Sequence, residues 1–248
     1  MHFRVTKGER MTDKDIYYQP DFVSGYIKSG SRVLELGFGQ GANLRYLAKK
    51  HPDASFVGVD YLPAENDDFP SNVELIKADY SDLSMLKDGS FDVIFAVETI
   101  VYNTNKTSVF SEVRRLLSPD GVFIIYDYVL EKPFETYGPT DQDAISLISK
   151  CGASAMIETQ EKWEEYLDVC GIRCEQINDI SKETLPDLKR LALKAAGVLE
   201  GRPRAAKAMF MLSPRHFTNN VIIGYLGYDA CRDGIMGYRE WVCRPIDR

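Results

Sequence analysis

Cysteine, histidine and long apolar runs are all scarce in this sequence of 248 residues. The five cysteines include no Cys-x-x-Cys pair, and none of the three histidines lies near the Cys170 and Cys174 pair. This usage predicts reduced thiols rather than disulfides or a zinc site. No stretch approaches the roughly 20 apolar residues of a membrane span, and the start of the chain lacks the apolar run of a signal peptide. We therefore expect a soluble, cytoplasmic protein without a bound metal.

Basic charge is also in deficit, with 30 lysines and arginines against 37 acidic residues and a net charge of −7. A general nucleic-acid binder needs cations that displace phosphate counterions, so DNA is not an expected partner. One segment departs from this balance, because residues 188–216 carry seven basic residues and one acidic residue, a local charge of +6.

Short apolar runs alternate with helical patterns over residues 32–180, and this alternation predicts an α/β fold. The pattern is typical of a doubly wound, seven-stranded, mostly parallel sheet. Strands are predicted at residues 32–36, 55–60, 73–79, 90–98, 121–129, 173–180 and 236–245.

A long helical block, from about residue 185 to residue 233, separates the sixth and seventh predicted strands. We therefore predict one domain over residues 1–248, with an inserted helical cap at about 181–234. Its core should cover about 30–180 and 235–248, after an N-terminal helical segment over 1–29. The cap is rich in methionines and aromatics: Met209, Phe210, Met211, Phe217, Tyr225 and Tyr228.

The run "RVLELGFGQGANL" has two interpretations. Gly37, Gly39 and Ala42 fit the G-x-G-x-x-A pattern of a dinucleotide site. Glu35, with Gly37, Gly39 and Gly41, instead fits E-x-G-x-G-x-G, a nucleoside-binding loop preceded by an acid. In both cases a strand leads into a helix, and backbone N–H groups face the ligand.

Glu35 favours the second interpretation. A carboxylate in a buried strand is costly unless it binds something, and it would repel a nearby pyrophosphate. Glu35, Asp60, Asp79 and Glu98 stand at the ends of four successive predicted strands, which should share the carboxyl edge of the sheet. This acidic edge suits a cationic sulfonium with an α-ammonium group, whereas Asp60 alone suits either cofactor.

With these motifs in place, residues 32–129 resemble the class I S-adenosylmethionine-dependent methyltransferases. "VLELGFGQG" resembles the first motif of that family, "VGVD" its second, and "ADYSDL" its adenine-side motif. "LLSPDGVFIIYD" resembles the segment entering strand five, and "GYREWVCRPID" the usual antiparallel last strand. The resemblance implies a Rossmann-like fold and S-adenosylmethionine as cofactor, with S-adenosylhomocysteine as product.

The resemblance also implies roles for individual residues. Asp60 should accept hydrogen bonds from both ribose hydroxyls, and Asp79 from the adenine amino group. Tyr61 should lie against the adenine, and a tyrosine of the preceding helix, such as Tyr18, can meet the methionine carboxylate. The full predicted cofactor set is Tyr18, Glu35, Gly37, Gly39, Gly41, Asp60, Tyr61, Asp79, Tyr80 and Glu98.

The acceptor site is marked less clearly. The run "VETIVYN" after strand four lacks the N-P-P-[YF] motif of the amide and DNA-adenine branch, and no cysteine pair marks an RNA-cytosine branch. Glu98, Tyr102 and His216 are the candidate catalytic residues, and Tyr126 and Asp127 are also placed at strand ends.

The cap is similar to those of small-molecule methyltransferases, sterol-like ones included, so we expect a small, largely apolar organic acceptor. Two alternatives stay open. One is an RNA or protein methyltransferase that uses the basic cap, and the other is a catalytically idle cofactor-binding module that acts through a partner. The sequence also leaves a homo-oligomer open.

Overall fold

The structure is a computed structural model that describes residues 5–6, 13–62, 64, 68–152, 154, 156–199 and 215–246. Part of the predicted cap, including Met209, Phe210 and Met211, lies outside these residues. Within the described residues, no helix is long and apolar enough to cross a membrane.

Seven strands lie in the described part of the chain: β1 (Arg32–Leu36), β2 (Ser55–Asp60), β3 (Val73–Lys77), β4 (Phe91–Val97), β5 (Leu117–Leu130), β6 (Ile172–Asp179) and β7 (Met236–Pro245). They form one sheet in the order β3-β2-β1-β4-β5-β7-β6. β1 pairs in parallel with β2 and β4, β2 with β3, and β4 with β5. The β7 and β6 end is antiparallel, which confirms the predicted fold class.

The helices of the described part are α1 (Tyr18–Ser24), α2 (Ala42–Lys50), α3 (Lys106–Leu116), α4 (Pro139–Gly152), α5 (Gln160–Val169), α6 (Ser181–Leu199) and α7 (Arg215–Arg232). Short 3-10 turns lie at Asp13–Tyr17, Ile100–Tyr102 and Phe134–Thr136. α6 and α7 therefore fall between β6 and β7 in the chain, at the position predicted for the inserted helical block.

The chain forms two compact units. The sheet unit comprises Tyr17–Asp127, Glu161–Asn178 and Arg239–Arg248, and the helical unit comprises Met1–Ile16, Tyr128–Gln160 and Asp179–Tyr238. The predicted boundaries of core and cap stay a prediction.

In the sheet unit, the parallel register places the ends of four strands side by side. Leu36 pairs with Val59 on one side and with Ala96 on the other, and Asp60 pairs with Lys77. Strands β1, β2 and β4 are almost wholly buried because apolar residues occupy both faces, as parallel strands covered by helices require. The loops that follow these strands consequently share one edge of the sheet.

Large aromatic side chains fill the core of the sheet unit. Trp163 of α5 stacks on Trp241 of β7, with ring centroids 5.2 Å apart and an interplanar angle of 14°. Phe110 of α3 packs against Trp163 and against Phe123 of β5. In the helical unit, α7 packs against α6 and α4, and Gly224 of α7 lies beside Leu191 of α6.

Several elements differ from the prediction, β3 among them, because it ends at Lys77 and Asp79 therefore follows the strand. β5 begins at Leu117, because Leu117 pairs with Phe91 and a register shift then absorbs the turn before Val122 pairs with Val93. α6 begins at Ser181 and continues through Pro186. α4 is not among the predicted elements.

Candidate cofactor site

The glycine loop between β1 and α2 depends on backbone conformations that favour glycine. Gly37, Gly39 and Gly41 have φ values of +69°, +54° and +72°. A Cβ on Gly37 would lie 2.4 Å from Cγ2 and Oγ1 of Thr99, and one on Gly41 would lie 2.4 Å from the Phe69 ring. Gly37 and Gly41 are thus required by close approach as well as by conformation.

Gly41 is the N-cap of α2, and no side chain caps this helix end. The first N–H groups of a helix lack partners within the helix and attract negatively polarised ligand groups. Within the loop, the N–H groups of Gly37 and Phe38 donate to the Val59 carbonyl and that of Gly41 donates to the Phe38 carbonyl. The loop therefore offers close approach of its backbone, and the first turn of α2 offers N–H groups to which a nucleoside can bind.

Glu35, on β1, is the most unusual charged residue of the site. Its side chain is 1% exposed, and its Oε1 accepts a hydrogen bond of 2.8 Å from Nδ2 of Asn43. Its Oε2 has no hydrogen-bond partner among the described residues. Burial raises the pKa of Glu35 to about 8; the Asn43 hydrogen bond opposes this shift and the nearby Asp60 adds to it.

Asp60 connects the end of β2 to the glycine loop. Its Oδ2 accepts from the Gly39 N–H at 2.8 Å, and its Oδ1 accepts from the Leu62 N–H at 2.9 Å. Each carboxylate oxygen can accept a second hydrogen bond, so Asp60 is oriented by the backbone and keeps capacity for ligand hydroxyls. Tyr61 beside it is 70% exposed, which leaves its ring accessible to a flat ligand.

Asp79 and Tyr80, after β3, both take part in holding the loops. Oδ1 of Asp79 accepts from the N–H and the Oγ of Ser81, both at 2.8 Å. The Tyr80 hydroxyl donates to the Thr99 carbonyl at 3.0 Å, and burial raises its pKa. Tyr80, Thr99 and Gly37 thereby link the loops after β3, β4 and β1, while the adenine contact of Asp79 stays a prediction.

Glu98 directly follows β4 and has a strained backbone conformation. It is the one non-glycine residue with positive φ, +50°, in the part of the chain that the structure describes, and such backbone often occurs at functional sites. Its N–H donates to the Tyr126 carbonyl at 2.7 Å, and it is 8% exposed.

Tyr102 and Asp127 are close to Glu98. Half of the Tyr102 side chain is exposed, yet partial burial and then the Glu98 and Asp127 carboxylates raise its pKa to about 12. Tyr102 is therefore protonated at neutral pH, where it can donate a hydrogen bond but is a poor proton acceptor. Asp127 is fully buried and accepts from the Val101 N–H at 3.0 Å.

Two predicted site residues remain, Tyr18 and His216. Tyr18 lies on α1 in the sheet unit, with its ring edge-on to Tyr126 at 6.4 Å between centroids. The His216 side chain lies outside the described residues. In the described ranges, no group of three or more histidine, cysteine, aspartate or glutamate residues is arranged to hold a metal ion.

The structure adds residues that the motifs did not indicate. Asn43 holds Glu35, and Thr99 fills the space at Gly37. Arg45 places its guanidinium 3.8 Å from the Phe69 ring centroid and donates from Nε to the Asp68 carbonyl at 2.8 Å, which holds the loop between β2 and β3 against Gly41. Asn43 could have been found from the sequence, because it is a polar residue at the start of the helix that follows the glycine loop.

Comparison with known proteins gives matches at the level of sequence and of fold. A family model described as a methyltransferase domain matches residues 27–171. A sterol 24-C-methyltransferase of Yarrowia lipolytica is 26% identical over 171 residues, 63% of this chain and 43% of that protein. One of Aspergillus fumigatus is 30% identical over 122 residues, 46% of this chain and 32% of that protein. The matched segments span less than half the length of either relative.

Among solved structures, a putative sarcosine dimethylglycine methyltransferase of Galdieria sulphuraria has the same fold. The TM-score is 0.78 at 17% sequence identity, over 99% of this chain and 93% of that one. The likeness therefore extends over nearly the whole of both chains.

Proposed function

The chain belongs to the family of methyltransferase domains, and we propose that it transfers the methyl group of S-adenosylmethionine to a small, largely apolar organic acceptor. The predicted cofactor residues fit this assignment, because the glycine loop, Asp60 and Tyr61 lie at adjoining strand ends of the sheet unit. A dinucleotide is the competing ligand for such a loop.

The observation that carries the proposal is the Glu35 Oε2 atom, which has no hydrogen-bond partner in the described part of the chain. A buried carboxylate oxygen without a hydrogen bond is costly, and a ligand ammonium group offers the donor that Oε2 lacks. S-adenosylmethionine carries such a group and no phosphate, whereas the pyrophosphate of a dinucleotide offers no donor to Oε2 and disfavours the ionised form of Glu35. The choice of cofactor thus follows from charge rather than from the glycines.

Bound S-adenosylmethionine supplies a methyl group activated by its cationic sulfonium. Methyl transfer is an in-line displacement, so the protein must mainly bind, orient and exclude water. We assign nucleoside binding to the glycine loop, Asp60 and Tyr61, and the methionine end to Glu35 and Tyr18. Glu98 and Tyr102 are the candidates nearest the acceptor, with Tyr102 as a hydrogen-bond donor because its phenol is protonated.

A small apolar acceptor is supported by the sterol methyltransferases among the relatives. The basic segment gives weaker support to a macromolecular acceptor, since Arg190 is already paired with the buried Asp187 at 2.7 Å. Cations that are paired within the protein are less available to phosphates. We also propose a cytoplasmic location, which rests on the cysteine usage in the sequence.

Calorimetry with S-adenosylhomocysteine and with NAD tests the cofactor assignment. We expect S-adenosylhomocysteine to bind and NAD not to bind, and tight NAD binding without a response to S-adenosylhomocysteine would reject the assignment. Asp92, an exposed aspartate at the start of β4 that accepts from the Arg32 N–H, provides a control: Asp92→Ala should leave binding unchanged, unlike Asp60→Ala.

The acceptor class is tested by release of S-adenosylhomocysteine in the presence of sterols and other apolar metabolites, with RNA and protein substrates in parallel. Turnover on a small apolar compound supports the proposal. Turnover on RNA or protein alone would establish the macromolecular alternative, and cofactor binding without turnover on any of them would favour the idle module.

A further inference from the structure

A buried polar network joins the last strands of the sheet unit to the end of β5. The Tyr126 hydroxyl, on β5, donates to Oε2 of Glu240, on β7, at 2.6 Å. Nδ2 of Asn178, on β6, donates to Oε1 of the same carboxylate at 2.7 Å. Tyr126 is 0% exposed and Glu240 is 1% exposed, so both carboxylate oxygens are held in an interior where charge-assisted hydrogen bonds are short and strong.

The other side of Tyr126 faces α1. Its ring makes edge contacts with Tyr18, at 6.4 Å, and with Phe22, at 6.3 Å, and Phe22 in turn lies 5.6 Å from Tyr26. These contacts are the geometry that aromatic pairs prefer. The Tyr126 ring is therefore one surface against which α1, and with it Tyr18, is positioned, in addition to the hydrogen bonds that Asp21 of α1 accepts from Tyr46 and Lys50 of α2.

The backbone of Tyr126 has a second connection to the site. Its carbonyl accepts the Glu98 N–H at 2.7 Å, next to the positive φ of Glu98. A strained residue keeps its conformation only where its surroundings enforce it. Tyr126 thus contacts two candidate residues, Tyr18 through its ring and Glu98 through its backbone.

We propose that Glu240 is a positioning residue, which fixes Tyr126 by its hydrogen bond and thereby positions Tyr18 at the methionine end of the cofactor site and Glu98 on its acceptor side. The inference rests on the proposed function, because that function assigns the methionine end to Tyr18 and the acceptor side to Glu98. Glu240 itself contacts no ligand in this proposal. Its substitution should affect only the binding of the amino-acid part of the cofactor.

The test compares two probes that differ in the amino-acid part. S-adenosylhomocysteine carries it, and 5′-methylthioadenosine keeps the nucleoside but lacks it. Tyr126→Phe removes only the hydroxyl, so we expect about 5- to 10-fold weaker binding of S-adenosylhomocysteine and unchanged binding of 5′-methylthioadenosine by calorimetry. A general loss of folding would weaken both probes alike.

Tyr137→Phe is the matched control, because it also removes a buried tyrosine hydroxyl but in the helical unit. That hydroxyl donates to the Ile235 carbonyl at 2.8 Å and accepts from the Lys132 N–H at 3.2 Å. The substitution should lower the melting temperature and leave both affinities unchanged.

Glu240→Gln is the second variant, and it carries the test alone if Tyr126→Phe fails to fold. Its amide oxygen still accepts one hydrogen bond, so we expect the same selective loss at about 2- to 3-fold. Wild-type affinity for both probes, or an equal loss of both, would overturn the positioning role. Failure of the wild-type protein to bind S-adenosylhomocysteine would instead overturn the proposed function.

Discussion

Replacing Glu35 by glutamine tests the most unusual residue of the site, a buried carboxyl with one oxygen that has no hydrogen-bond partner among the described residues. The substitution keeps the shape and the oxygen that accepts from Asn43, and it removes the negative charge. The pKa of Glu35 is raised from 4.5 to about 8, first by burial. Without a ligand, the folded protein therefore holds a proton on Glu35 at pH values where the unfolded chain has released it.

This difference makes the ligand-free protein less stable as pH rises. Between pH 4.5 and 8 the folded state binds more protons than the unfolded state, so the free energy of unfolding falls with increasing pH. From about pH 5 to about pH 8.5 the loss from this one group is about 4 kcal/mol. Glu35→Gln should remove that loss, so the variant is of similar stability at the lower pH and more stable than wild type at the higher pH.

The same substitution should weaken cofactor binding. A ligand ammonium group favours the ionised form of Glu35, so its binding displaces the proton of the Glu35 carboxyl. At pH 7 a group with a pKa near 8 is about 90% protonated. Binding of S-adenosylhomocysteine to the wild type should thus release about 0.9 proton. Glu35→Gln should release none from this position and bind about 10- to 150-fold more weakly, as for loss of a charged hydrogen bond.

Two measurements test the role of Glu35. Denaturant unfolding at about pH 5 and about pH 8.5 gives the pH dependence of the free energy of unfolding, and calorimetry at about pH 7 in buffers of different ionisation enthalpy gives the proton release on binding. Glu112→Gln is the control, because the hydrogen bond from Arg115 lowers the pKa of Glu112. The stability that Glu112 contributes is present above its unfolded pKa and is lost only as pH falls below it, so Glu112→Gln should change the free energy of unfolding by similar amounts at about pH 5 and about pH 8.5. Wild-type affinity and wild-type proton release in Glu35→Gln would refute the assignment of Glu35 to the ammonium group.

Other predictions concern the loops around Glu35. Asp60→Ala should weaken S-adenosylhomocysteine binding by about 2–4 kcal/mol in calorimetry, and a folded variant with wild-type affinity would remove Asp60 from the site. Gly39→Ala should cost about 1–2 kcal/mol in denaturant unfolding, because only its φ is unfavourable. Gly37→Ala should cost about 3 kcal/mol or more, because its Cβ also meets Thr99; equal costs for the two variants would contradict a close approach of Thr99 to Gly37.

Much of the sheet unit could be predicted from the sequence because its signals are local. The glycines at 37, 39 and 41 require positive φ, and apolar runs bounded by turns define β1 and β2 within a residue. The order of the strands in the sheet, β3-β2-β1-β4, differs from their order in the chain and was not predicted. The family match over residues 27–171 agrees with the span of the sequence motifs.

The rest depends on contacts between residues that are distant in the sequence. Neither Thr99 against Gly37 nor Tyr126 bonded to Glu240 leaves a local pattern, because 62 and 114 residues separate the partners. The start of β5 has a similar cause, since Leu117 joins the sheet only through its pairing with Phe91 across a register shift. The turn residues before residue 121 predict that the strand begins after them, whereas in the structure they lie within β5 at its register shift.

The four strand-end acids show how the structure refines a charge argument made from the sequence. The sequence predicts that all four make the sheet edge acidic toward a cation, yet they are not equivalent. Oxygens of Asp60 and Asp79 accept backbone N–H groups of the loops, so both carboxyl groups have hydrogen-bond partners without any ligand. Glu35 receives one hydrogen bond and keeps one buried oxygen without a partner among the described residues. Its ionisation is therefore the step that a cationic ligand can favour, and discrimination against a dinucleotide should depend on this residue more than on the total charge of the edge.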